Sequence, residues 1–378
     1  MKKYLYATTA IVGVGLAATS AQAEEGIKIG LSGFMNTYYG ISSRDGSDDS
    51  VAGAADQDQS HFQDATINFI GSTTLDNGIE VGVRFELESF GHPGDEQFMW
   101  FKGSFGEINL GGTNSAGYRM AFASSGHLYT AGIPINTGWV NTFIPSPTGQ
   151  TTNFRKPSLS TFLDTHNDHN TVSYFSPRIS GFQFGASWTP EAGTNAGVES
   201  TAAGQFGPVN EQTQYNNALS VGANFVQSFS GFDVALNAGY NMANAPDNPV
   251  TPGNDDDLQQ YMAGAQVGYM GFVVGANYAN QDSEDSSGYE ADDGDAWSVG
   301  AGYTTGPWSL AVNAFFSEVE GSTANNAEDK QTSVRGGIDY ALGPGVTVSG
   351  SLLYTEWEEE GGTDLDAVAG ILGTTVTF

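Results

Sequence analysis

Arg84 sits among carboxylates at even spacings, with Glu80, Glu86 and Glu88 on the same parity and Glu107 on the segment pair that follows. The intervening positions Ile79, Val81, Val83, Phe85 and Leu87 are all apolar, so in an extended strand one face is greasy and the other carries the charges. A guanidinium within such a row either lines a water path, where it orients solvent and sorts ions, or pairs with Glu86 or Glu80 to anchor a neighbouring loop. The two roles are compatible. Arg335 and Asp339 share a face by the same parity, two steps either side of Gly337, and Lys28 falls on that face in its own segment. Lys102 lies in a stretch, Phe98-Met99-Trp100-Phe101, whose phase is ambiguous.

A second group of charges occupies the long stretch from Gly112 to Asn170. Arg119, Arg155 and Lys156 stand there against Asp164 and Asp168, with His127, His166 and His169 nearby. Two histidines spaced as His166 and His169 would suit one helical face holding a metal, but no helix is indicated and no further ligand is fixed, so the segment reads as an exposed loop. Asp255-Asp256-Asp257 and Asp292-Asp293-Gly294-Asp295 lack the twelve-residue spacing and closing Glu of an EF-hand. Cysteine is absent, which removes disulfides and thiolate metal sites. The serines and the five histidines fall in no nucleophile-elbow pattern, so a hydrolase is only an alternative reading and no enzymatic activity is expected.

The elements that must position these charges are short strands. Phe232, Val234, Leu236, Ala238 and Tyr240 form one apolar stripe, and Trp308, Leu310, Val312, Ala314 and Phe316 form another. The stripe Val368, Gly370, Leu372, Thr374, Val376 and Phe378 runs into a terminal aromatic. Ala65 to Leu75 and Ile79 to Leu87 make a hairpin through Asp76-Asn77-Gly78, with Asn77-Gly78 expected to supply positive φ angles. About sixteen such segments can be counted. Connections alternate between short Gly/Pro turns and long polar loops, and aromatics often close both ends of a stripe. Phe232 and Tyr240 would be roughly 20 Å apart along a tilted barrel axis, close to the height of a lipid-facing band. A soluble sandwich gives no reason for either regularity. The expectation is a closed all-β, antiparallel barrel crossing the outer membrane, with its backbone hydrogen bonds satisfied between strands. Arg84 on its outer face at mid-membrane would cost roughly 2–4 kcal/mol, which turns the charged face inward.

Lys2, Lys3, an apolar run from Leu5 to Leu16 and Ala21-Gln22-Ala23 read as an export signal, residues 1–23, with the barrel over 24–378. The run is too short for a first transmembrane helix. The chain carries 43 acidic and 12 basic residues, a net charge of −31, and loss of Lys2 and Lys3 would deepen it by two. That balance excludes nucleic acid as a partner. The aromatic content, 16 Tyr, 23 Phe and 6 Trp, excludes a disordered acidic chain. The acids concentrate in polar loops: Asp45 to Asp58, Asp282 to Asp295 and Glu358 to Asp366. A rim of that density needs divalent cations or a cation atmosphere, so loosely bound calcium is the one metal to consider and no other cofactor is expected.

Phe101-Lys102-Gly103-Ser104-Phe105-Gly106-Glu107-Ile108-Asn109-Leu110-Gly111 resembles the strands that enter the third loop of the Gram-negative general porins. Asn170-Thr171-Val172-Ser173-Tyr174-Phe175-Ser176-Pro177 with Gly181-Phe182 resembles the strand and turn that leave it, most like the porins of alphaproteobacteria. The resemblance covers essentially the whole chain after the signal. It implies a 16-stranded barrel, usually a homotrimer, whose third loop, here residues 112–170, folds inward as a constriction. It implies passive diffusion of ions and small hydrophilic solutes, with outer-membrane lipid and lipopolysaccharide as surroundings. In many of these porins acids on the third loop face basic residues on the wall. Here the loop is the basic element and the wall the acidic one, so ion selectivity does not carry over simply. The acidic rim predicts a modest cation preference that salt weakens. A mainly adhesive or structural surface protein is the remaining alternative.

Overall fold

The computed structural model describes residues 26–45, 59–88, 94–121, 140, 143–144, 160–163, 167–192, 215–245, 257–282, 293–320, 328–359 and 364–378. Residues 1–25, which include the expected export signal, and most of the acidic loops lie outside them. Sixteen strands form one closed sheet in which each pairs antiparallel with its sequence neighbours and the first closes on the last. The first five are β1 (Lys28–Asp45), β2 (Gln59–Thr74), β3 (Glu80–Glu88), β4 (Gln97–Gly103) and β5 (Gly106–Thr113). A short helix, α1 (Ala116–Met120), precedes β6 (His169–Phe175), β7 (Phe182–Ala192), β8 (Tyr215–Phe229), β9 (Phe232–Asn244) and β10 (Leu258–Tyr269). The circuit continues through β11 (Phe272–Asp282), β12 (Gly294–Thr305), β13 (Trp308–Glu320), β14 (Glu328–Gly343), β15 (Val346–Glu359) and β16 (Leu365–Thr377).

Alternation sorts the side chains as the sequence anticipates. On β9, Phe232 and Leu236 are exposed on the outside, whereas Asn237 and Asn241 point inward and are buried. Arg84 and Glu86 face inward between outward Phe85 and Leu87. At the short-turn end the outer surface carries stacked pairs, Phe232 with Tyr269 at 4.3 Å and Phe272 with Tyr303 at 4.2 Å. Near the opposite end Tyr278 lies 4.2 Å from Trp297. These are the two aromatic girdles of a lipid-facing band.

The turns obey backbone sterics. Ser230 and Gly231 both have positive φ (49° and 90°), as do Met270 and Gly271 (50° and 86°), which is the mirror-image two-residue turn that matches strand twist. The β2–β3 connection differs from expectation: only Gly78 (φ 80°) is left-handed there. The Gly78 N–H donates to the Leu75 carbonyl at 2.8 Å and the Ile79 N–H to Asn77 Oδ1 at 3.1 Å, a three-residue loop in which Asn77 acts through its side chain. At the seam, Gly33 and Phe378 exchange backbone hydrogen bonds of 2.8 and 3.0 Å.

Candidate pore wall and loop anchorage

The inner face of β3, β4 and β5 gathers the charges. Arg84 pairs with Glu86 and, through Nη1 at 2.8 Å, with Glu96, while its Nε donates to Asn68 Oδ1 at 2.7 Å. Glu96 is a residue the sequence reading missed, because its importance arises only when β4 lies beside β3. Glu80 accepts the Trp100 indole N–H at 3.0 Å. That ring lies against Gly82, where no other residue type would leave room for it. Trp100 therefore faces inward, which resolves the ambiguous phase of β4 and puts Lys102 on the inner wall. Lys102 sits 3.5 Å from Glu107, and Arg119 reaches the other oxygen of Glu107 at 3.2 Å. The Arg119 guanidinium also lies over the Phe175 ring, 4.1 Å from its centroid. Glu88 stands beside Glu86 and Asp95, with ligand oxygens of the three all within 4.8 Å of one another, so this wall is net acidic around Arg84.

The stretch that follows β5 is held by the wall of β7 to β12. Ser115 caps α1 by accepting the Tyr118 N–H at 3.4 Å. The Ala116 and Gly117 N–H groups donate to Ser187 Oγ at 2.9 Å and Ser220 Oγ at 2.7 Å. Asn224 Nδ2 donates to the Met120 carbonyl at 3.1 Å, and Asn277 Nδ2 to that of Thr161 at 2.6 Å. Side chains of the barrel thus satisfy backbone groups of the loop, which otherwise would lie buried without partners. Glycines make the room: a Cβ on Gly222 would come within 2.8 Å of Met120 Cβ and 3.0 Å of the Ala116 carbonyl. The two ends of the loop also meet, since the Ser115 N–H donates to Asn167 Oδ1 at 3.2 Å.

A different chemistry holds the loop across the lumen. Val140, Phe143 and Ile144 are buried in a cluster with inward-facing Tyr38, Phe315, Val319, Leu353, Trp357, Leu365 and Ile371. Phe143 meets Tyr38 edge-on at 6.2 Å between centroids and Phe62 at 6.4 Å.

Of the remaining predicted site residues, Arg335 is inward and buried, with Nη2 donating to Asn313 Oδ1 at 2.6 Å, and Asp339 shares its face. Arg155, Lys156 and Asp164 lie outside the described residues, as do His127 and His166. His169 begins β6, its ring Nδ1 2.6 Å from the Asn167 carbonyl. Asp168, in the turn before it, is left-handed (φ 61°). Burial, and then the charges of Asp95, Glu96, Glu88 and Glu86, push its carboxyl up to about 9.

A closed sixteen-stranded barrel with an apolar outer band, aromatic girdles and a charged inner wall is an outer-membrane channel of the porin class. The sequence profile of the Gram-negative porins matches residues 7–359, and the chain belongs to that family. A chitoporin of Vibrio furnissii is 27% identical over 171 residues, covering 42% of this chain and 45% of its own length, so the match spans less than half of that relative. The trimer form of Vibrio cholerae OmpT superposes with a TM-score of 0.56 at 14% identity, covering 94% of this chain and all of OmpT. The anion-selective porin of Comamonas acidovorans gives 0.56 at 13% identity, covering 93% and 100%. At such identities the likeness is one of fold.

Proposed function

We propose that this porin is a water-filled channel for passive diffusion of ions and small hydrophilic solutes, weakly cation-preferring and assembled as a homotrimer. The observation that carries the ion preference is the inner wall of β3 to β5. There Glu80, Glu86, Glu88, Asp95, Glu96 and Glu107 face three cations, Arg84, Lys102 and Arg119. The net charge of −31 extends the same bias to the mouth, where fixed charge raises local cation concentration and salt screens it. The constriction is the loop 112–170, whose described parts touch opposite walls of the barrel. A fold neighbour named as anion-selective means that the barrel alone does not fix the sign, which therefore rests on these side chains. The trimer form of OmpT supports the homotrimer. Loose calcium binding at the acidic outer loops, next to lipopolysaccharide and outer-membrane lipid, belongs to the same reading. Among the described residues no observation favours the hydrolase or adhesin alternatives.

The test is single-channel recording of the purified protein in a planar bilayer, with reversal potential under a KCl gradient. Conductance steps in threes with a cation-directed reversal potential that shrinks as salt rises are expected. Anion preference at low salt would overturn the proposed sign, and a folded barrel without conductance would overturn the channel.

A further inference from the structure

Glu96 is buried, 5% exposed, immediately before β4, and its two oxygens serve different parts of the molecule. Oε2 accepts from Arg84 Nη1 at 2.8 Å, on the wall. Oε1 accepts from Asn114 Nδ2 at 2.7 Å, from the Asn114 backbone N–H at 3.3 Å and from the Thr113 hydroxyl at 3.2 Å, at the point where the chain leaves β5 for the loop. Its own carbonyl takes the Glu86 N–H at 2.8 Å, so its backbone is fixed by the β3–β4 ladder. We infer that Glu96 is a positioning and selectivity residue: one carboxylate both sets where the long loop departs into the lumen and cancels the charge of Arg84. This rests on the channel reading above and adds to it a single residue that serves both loop position and ion preference.

The chemistry of the arrangement makes the two functions separable. Arg84 meets carboxylates on both sides, Glu86 and Glu96, so one guanidinium charge is offset by two carboxylate charges and the cluster presents net negative potential. A glutamine at position 96 has the same length and still offers a carbonyl oxygen to Asn114 and Thr113, but it withdraws one unit of negative charge. An alanine withdraws both the charge and the acceptor. It leaves the Asn114 amide and the Thr113 hydroxyl without this partner. Asn114→Ala removes the shortest of the three loop-side contacts and leaves the Glu96–Arg84 pair in place.

The experiment compares wild type, Glu96→Gln, Glu96→Ala and Asn114→Ala, each first shown to be folded by heat-modifiable gel mobility. Two readouts are used: reversal potential in a KCl gradient, and the rate at which protease cuts the 112–170 loop in the folded barrel. Glu96→Gln should lower the cation-to-anion permeability ratio by about fourfold at low salt, because one unit charge roughly 10 Å from an ion path in water shifts cation and anion about twofold each in opposite directions. Its cleavage rate should stay at the wild-type value. Glu96→Ala should shift the ratio equally and speed cleavage, and Asn114→Ala should speed cleavage with the ratio unchanged. An unchanged ratio in Glu96→Gln, or unchanged cleavage in both alanine variants, would overturn the inference. Should wild type fail to conduct, the channel reading falls while cleavage still decides whether Glu96 holds the loop. If Glu96→Ala does not fold, Asn114→Ala reads the loop side and Glu96→Gln the charge side.

Discussion

The long loop is held by two walls that use opposite physics. Across β7 to β12 it is bound by directed hydrogen bonds from Ser187, Ser220, Asn224 and Asn277 to its own backbone, over glycines that let it approach. Across β12 to β16 and β1 it is held by burial of Val140, Phe143 and Ile144 among aromatic and aliphatic side chains. Hydrogen bonds fix position closely but contribute little net energy each, because water competes for the same groups. Apolar burial contributes more per residue and specifies geometry less. The first wall therefore places the loop and the second keeps it there.

The largest effect should come from emptying the apolar side. Phe143→Ala should lower the stability of the loop-docked state by about 3–5 kcal/mol, the usual range for a buried Phe. Single-channel conductance should rise and the loop should become open to protease; unchanged conductance and cleavage would show that this contact does not retain the loop. Next, Gly222→Val places methyl groups where Met120 and the Ala116 carbonyl already sit. It should cost about 1–3 kcal/mol of overpacking and displace α1, read as a lower melting temperature of the folded barrel. Ser220→Ala leaves the Gly117 N–H without its acceptor and should cost about 1–3 kcal/mol on the same assay. The most diagnostic effect concerns pH at the loop's far end. The Asp168 carboxyl is raised from 3.8 to about 9, so its contribution to docking is complete below about pH 4 and is lost as pH climbs through about 9. Protease sensitivity of the wild-type loop should grow over that window, and Asp168→Asn should flatten the profile. A wild-type profile that is already flat would remove Asp168 from the account.

The outer surface was legible in the sequence because a membrane enforces alternation without exceptions: Phe232 to Tyr240 and Val368 to Phe378 could be phased by eye. Arg84 and Arg335 followed from the same count. The inner surface was less legible because it does not simply face water. On β4, Phe98 and Trp100 point inward beside outward Met99, so both faces read as apolar and the position of Lys102 could not be phased. On β13, inward Phe315 sits next to outward Phe316 and hides a lumen patch within a stretch that looks uniformly lipid-facing. Glu96 was invisible for another reason. Its partners Arg84 and Asn114 lie on either side of it in the chain, and only the register of β3 against β4 and β5 brings them together. A signal for the polar wall was present, however: the inward positions Gly185, Ser187, Ser220, Gly222, Asn237, Gly239 and Asn241 are all small or amide-bearing, as a surface meant to receive another piece of backbone requires.

The seam between β1 and β16 bears on how the molecule is made. Phe34 pairs with Thr377, and Gly33 with Phe378, contacts between opposite ends of the sequence. Every other strand pairing can be completed by neighbours in chain order, but this one closes the largest loop the polypeptide can form, and contacts of that span slow folding. Until it forms, two unpaired strand edges remain open to other chains. Assembly is thus governed by a single late stitch, and a chain lacking residues 365–378 should accumulate as aggregate in the periplasm rather than insert as a smaller barrel.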